Sequence, residues 1–96
     1  MNYVLLHESE SVQAGADSHY LYIGRVGLRD TVCEITVCSG ESMVELYLNG
    51  ELRYRQKSSG EFVFCAALQE LPAGELNIKA CTLGENLLTD EITVKI

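Results

Sequence analysis

Acid–base chemistry is the first possibility these residues raise. Glu8 and Glu10 stand two apart, so on an extended chain their carboxylates point the same way. Glycoside cleavage needs two carboxyls about 5 to 9.5 Å apart in a cleft that raises one pKa. The tract around this pair, His7-Glu8-Ser9-Glu10-Ser11, is polar and offers nothing to desolvate an acid. Solvated loop charges are therefore the expectation. His7 and His19 are separated by a polar stretch with no fixed carboxylate partner and read as surface residues rather than a base or a metal pair. No G-x-S-x-G nucleophile turn occurs, and no Gly-rich loop opens a helix to cradle phosphate. Asp17, Asp30 and Asp90 are too scattered for a sequence-local calcium cage. The expectation is no catalytic residue, no metal and no cofactor.

Cysteine chemistry is the second possibility. Cys33, Cys38, Cys65 and Cys81 form no CxxC pair and, with two distant histidines, no zinc set. Cys33 and Cys38 stand five apart on one expected strand, so they face opposite ways and cannot bridge each other. Cys33 shares the apolar face of Ile35 and Val37, whereas Cys81 is out of phase with Leu76, Ile78 and Ala80 and should face outward. Free thiols are expected over any disulfide, which favours a reducing, cytoplasmic setting without establishing localisation.

Charge and size narrow the function classes. The chain has 96 residues and a formal net charge of −7. A field of that sign repels phosphate backbones, and no basic cluster offsets it. The densest basic run, Arg53, Arg55 and Lys57, reads as a solvated or guarded strand face rather than an anion site. Neither nucleic acid nor an anionic membrane is an expected partner. No apolar run approaches the roughly 20 residues of a membrane span. The opening Met1–Glu8 has neither the basic region nor the apolar core of a secretory signal. One domain, residues 1–96, is expected, since single cores run from about 50 to 200 residues.

The elements that must position these side chains have a period of two. Val44, Leu46 and Leu48 alternate with Glu45 and Tyr47, and Asn49-Gly50 follows at once, a strong signal for a tight hairpin. Further strands are expected over 3–6, 20–26, 31–38, 52–56, 61–68, 75–82 and 87–96, with residues 7–18 as a loop or linker. Gly24 and Gly27 signal a bulge or bend, and Asp90, in phase with Leu88, Ile92 and Val94, signals a bulge or strand start. Seven or eight short antiparallel strands with turns between them are the signature of an all-β, immunoglobulin-like β-sandwich, favoured over the alternative of a closed barrel by the polar outer faces. Cross-strand geometry puts Tyr47 opposite Leu52 on an outer face, with Tyr54 a diagonal neighbour. Tyr47, Leu52, Tyr54 and Asn49 are the candidate ligand or docking face. Domain docking, plain sheet packing and sugar stacking, helped by Glu45 and Gln56, all fit it.

From Thr31 onward (residues 31–96) the chain resembles a known family. Val44-Glu45-Leu46-Tyr47-Leu48-Asn49-Gly50, then Pro72-Ala73-Gly74-Glu75-Leu76, then Leu87-Leu88-Thr89-Asp90-Glu91-Ile92 are similar to the immunoglobulin-like modules that follow the catalytic barrel in family 2 glycoside hydrolases, the β-galactosidase type. That family often carries Trp before the hairpin, where this chain has Tyr20-Leu21-Tyr22-Ile23. The resemblance implies a non-catalytic accessory module of a glycoside hydrolase in carbohydrate metabolism, docking against or spacing the catalytic barrel and neighbouring domains. The catalytic glutamates of such enzymes lie on the barrel, which needs about 250 residues and has no room here. The alternatives are a carbohydrate-binding module and a stand-alone protein-interaction or adhesion domain.

Overall fold

The computed structural model describes residues 3–9, 20–57, 60–84 and 87–96. Among these, eight strands run in chain order as β1 (Tyr3–Glu8), β2 (Leu21–Arg29), β3 (Val32–Ser39), β4 (Val44–Leu48), β5 (Glu51–Gln56), β6 (Gly60–Ala67), β7 (Glu75–Thr82) and β8 (Thr89–Lys95). They form two four-stranded sheets, ordered β1-β2-β3-β6 and β5-β4-β7-β8, with every pairing antiparallel. The chain crosses between sheets from β3 to β4, from β5 to β6 and from β6 to β7. That is the Greek-key path of an immunoglobulin-like sandwich.

Alternation in the sequence becomes two packed faces. Ile23, Val26, Cys33, Ile35 and Val37 from the first sheet meet Val44, Leu46, Leu76, Ile78 and Ala80 from the second, all essentially without solvent exposure. Burying each large aliphatic side chain contributes about 1.5–3 kcal/mol, which makes this layer the main source of stability. The polar groups it traps are satisfied. The buried Ser39 hydroxyl donates to the Tyr20 carbonyl at 2.9 Å and accepts from the Glu41 N–H at 3.0 Å. Thr82 accepts from the Leu88 N–H at 2.7 Å.

Several boundaries differ from the sequence reading. β1 runs on to Glu8, so His7 and Glu8 belong to a strand and not to the expected loop; residues 10–18 of that loop lie outside the described residues. β2 runs on to Arg29, closed by a tight turn in which Asp30 takes a positive φ of 56°. β6 stops at Ala67, and Leu68 opens a short 3-10 turn while still packing on the core. Of the two glycines, Gly24 marks a bulge and Gly27 stays in register, while Asp90 lies at the start of β8 with no bulge, and the Gly24 bulge and Asp90 meet. The β2–β3 register shifts between Ile23 and Arg25, which frees the Ile23 N–H from the ladder, and the Asp90 carboxylate of β8 accepts that N–H at 2.7 Å. Ser9 completes the clamp, its hydroxyl donating to the Ile23 carbonyl at 2.7 Å and its N–H to the Gly24 carbonyl at 2.9 Å.

Candidate functional site

The second sheet's outer face begins with the Asn49-Gly50 hairpin. Both residues adopt positive φ, 50° and 84°, as a two-residue turn of this twist requires. Asn49 is occupied structurally: its side-chain oxygen accepts the Asn77 N–H at 2.7 Å, and its own N–H donates to the Asn77 carbonyl at 2.8 Å. Tyr47 pairs with Leu52, as cross-strand geometry predicts. Tyr54 does not join them. The β4–β5 register shifts between Leu46 and Tyr47, so Arg53 is an extra residue and Tyr54 falls opposite Leu46 on the inner side. There its ring stands 5.2 Å from Phe62 and 5.8 Å from Phe64 of β6, closing the flank of the sandwich between the edge strands β5 and β6. The expectation of one face carrying both tyrosines is corrected by that bulge.

Beneath Tyr47 lies a carboxylate that sequence phase assigns to solvent. Glu45 is only 6% exposed, covered from both sides. The Tyr47 hydroxyl donates to Glu45 Oε1 at 2.9 Å, and Arg55 grips Oε2 through Nε at 3.1 Å and through Nη2. The Arg55 hydrogen bonds, then that of Tyr47, hold the Glu45 carboxyl below the usual carboxylate range against the opposing effect of burial. Donation to Glu45 raises the Tyr47 hydroxyl in turn. Cys81 faces outward opposite Glu45, as expected, and is half-buried, with its thiol pushed up first by burial and then by that carboxylate. Of the basic run, Arg55 is thus committed to Glu45, and Arg53 lies 5.9 Å from the Phe64 ring centroid.

The first sheet's outer face holds a trough that the sequence reading passes over. Gly24 and Gly27 both face outward on β2. The Tyr3 ring lies over Gly27 so closely that a Cβ there would stand 2.1 Å from its hydroxyl. Arg29 lies 4.8 Å from the centre of that ring. Tyr22 leans past Gly24, and hydrogen bonding with the Cys38 thiol, then burial, pushes its hydroxyl up to about 12. Glu8 pairs with Arg25 at 3.0 Å and Arg29 with Glu34 at 3.4 Å, while the Cys38 thiol reaches Glu61 at 3.6 Å. The signal was present in Tyr20-Leu21-Tyr22-Ile23-Gly24 and Gly27, but Tyr3 reaches Gly27 only through the β1–β2 pairing.

The residues considered for chemistry do not converge. Glu8 is ion-paired with Arg25, and Glu10, Asp17 and His19 lie outside the described residues. Among the described residues no three His, Cys, Asp or Glu side chains gather as metal ligands. Cys33, Cys38, Cys65 and Cys81 are all unpaired. The described fold and sites define an all-antiparallel, two-sheet β-sandwich of eight strands. No protein-family model, no curated protein and no solved structure matches the chain.

Proposed function

We propose that the chain is a non-catalytic accessory module that docks through the outer face of the β5-β4-β7-β8 sheet. The observation that carries this reading is the pairing of Tyr47 with Leu52, 44% exposed, above a Glu45–Arg55 pair already satisfied within the domain. A partner can cover the Glu45–Arg55 pair without stranding it, and would need to answer the exposed Lys79 that pairs with Tyr47 from β7. The hairpin and closing-strand resemblance supports a family 2 glycoside hydrolase as the setting, with the catalytic barrel or an adjoining domain as the partner. Sugar stacking on a Tyr47–Tyr54 pair loses its support on this face, because Tyr54 packs on Phe62.

The test uses the polypeptide that joins this module to a family 2 barrel. Leu52→Asp and Leu52→Ser, at a side chain that is 44% exposed, are expected to lower the melting temperature of the barrel and to expose the junction to limited proteolysis, with little change in the melting of the module alone. An unchanged barrel argues against docking here. Hydrolysis of nitrophenyl glycosides by the purified 96-residue chain would overturn the non-catalytic assignment.

A further inference from the structure

We propose that the trough on the outer face of the β1-β2-β3-β6 sheet binds a neutral carbohydrate chain. This goes beyond the docking role, since it concerns the opposite face of the sandwich. The cavity there measures about 640 Å³, within the range of small-molecule sites. Its floor is a position without a side chain. Gly24 leaves the centre of β2 low beside the Tyr22 ring, while the Tyr3 ring fills the space over Gly27 and forms one wall. Flat rings fixed on a sheet give apolar surface at little entropic cost, with a hydroxyl at one end for hydrogen bonding.

The charges select the class of ligand. Arg25 is held by Glu8 and Arg29 by Glu34, and Glu61 adds a third carboxylate. The trough therefore carries two cationic and three anionic groups, a weak negative balance that disfavours phosphorylated or sulfated ligands. What remains is a dense array of fixed donors and acceptors around aromatic surface. Hydroxyl groups, each both donor and acceptor, fit that array. A protein partner fits it less well, because the centres of protein interfaces are depleted in charged residues.

Amide chemical shifts of the intact chain, titrated with hexasaccharides of β-1,4-linked glucose, xylose or galactose, test the assignment. The expected result is saturating shifts centred on Tyr3, Tyr22, Gly24, Thr36 and Val63 with at least one of the three sugars, and a Kd of about 1 mM or tighter. Tyr22→Ala should weaken binding about 10-fold. Gly24→Gln serves as the second variant. A Cβ at Gly24 meets only ordinary contacts at 3.5–3.8 Å, so the fold is kept while the longer side chain blocks the trough. Shifts confined to the Tyr47 face, no shifts with any of the three sugars at about 10 mM, or a preference for inorganic phosphate would each overturn the proposal. An absence of shifts or a preference for phosphate leaves docking through Leu52 untouched, whereas shifts on the Tyr47 face would count against both readings, so the two can fail separately.

Discussion

Glu45 is the side chain whose position is least expected from its type. Alternation places it on a polar outer face, yet Tyr47 and Arg55 cover it. Because its folded-state pKa is depressed, its contribution to stability is present above the unfolded carboxyl value of about 4.3 and is lost as pH falls through the lower folded value. Thermal melts from neutral to acid pH should therefore show a shallower acid slope for Glu45→Gln than for the parent chain, with a lower melting temperature at neutral pH. Equal slopes would remove Glu45 from the acid transition. Asn49 carries a second residue-scale prediction. It combines a left-handed backbone with an anchor to Asn77, so Asn49→Ala is expected to cost about 1–2 kcal/mol in denaturant unfolding. Asn49→Gly should recover roughly half of that loss, since glycine tolerates the backbone but lacks the anchor.

Of the three register shifts among the described residues, one in β1 between Leu5 and His7, one in β2 and one between β4 and β5, the last two decide what the strands present at the candidate faces. The one near Gly24 turns the Ile23 N–H out of its ladder and toward Asp90, which joins β2 to β8 across the sandwich. Asp90→Ala would leave that N–H unsatisfied on a fully buried residue, at a cost of about 1–3 kcal/mol. A fall in melting temperature of roughly 4–8 °C per kcal/mol reads it out. Asp90→Asn keeps an acceptor and should lose less than half as much. If the two variants melt together, charge rather than the hydrogen bond is what matters. The bulge at Arg53 sends Tyr54 inward to Phe62 and Phe64. A bulge was legible at Gly24 because glycine marks it, and Asp90 was legible as an out-of-place carboxylate. Nothing in Leu52-Arg53-Tyr54-Arg55 marks an extra residue, so the phase of Tyr54 could not be read from alternation.

Across the whole molecule, the four thiols report on stability without any disulfide. Cys33 is fully buried, and burial first pushes its thiol up to about 11. Cys65 is exposed on the outer face of β6. Alkylation followed by mass spectrometry should therefore label Cys65 first and Cys33 last. Cys33 should be protected about 10³-fold or more relative to the denatured chain, because it reacts only when the sandwich opens. Early labelling of Cys33 would mean that the two sheets part locally, without global unfolding.

By itself the sequence determined the strands, the hairpin at Asn49-Gly50 and the apolar faces, including the inward placement of Cys33. Each follows from period-two alternation and from turn residues whose backbone preferences are local. Only the tertiary structure decided that Tyr54 turns inward, that Glu45 is covered, that Asp90 is answered by Ile23, and that Tyr3 lies over Gly27. Each of those depends on register or on contact between strands far apart in the chain. A single unmarked residue added to one strand is enough to reassign which side chains share a face.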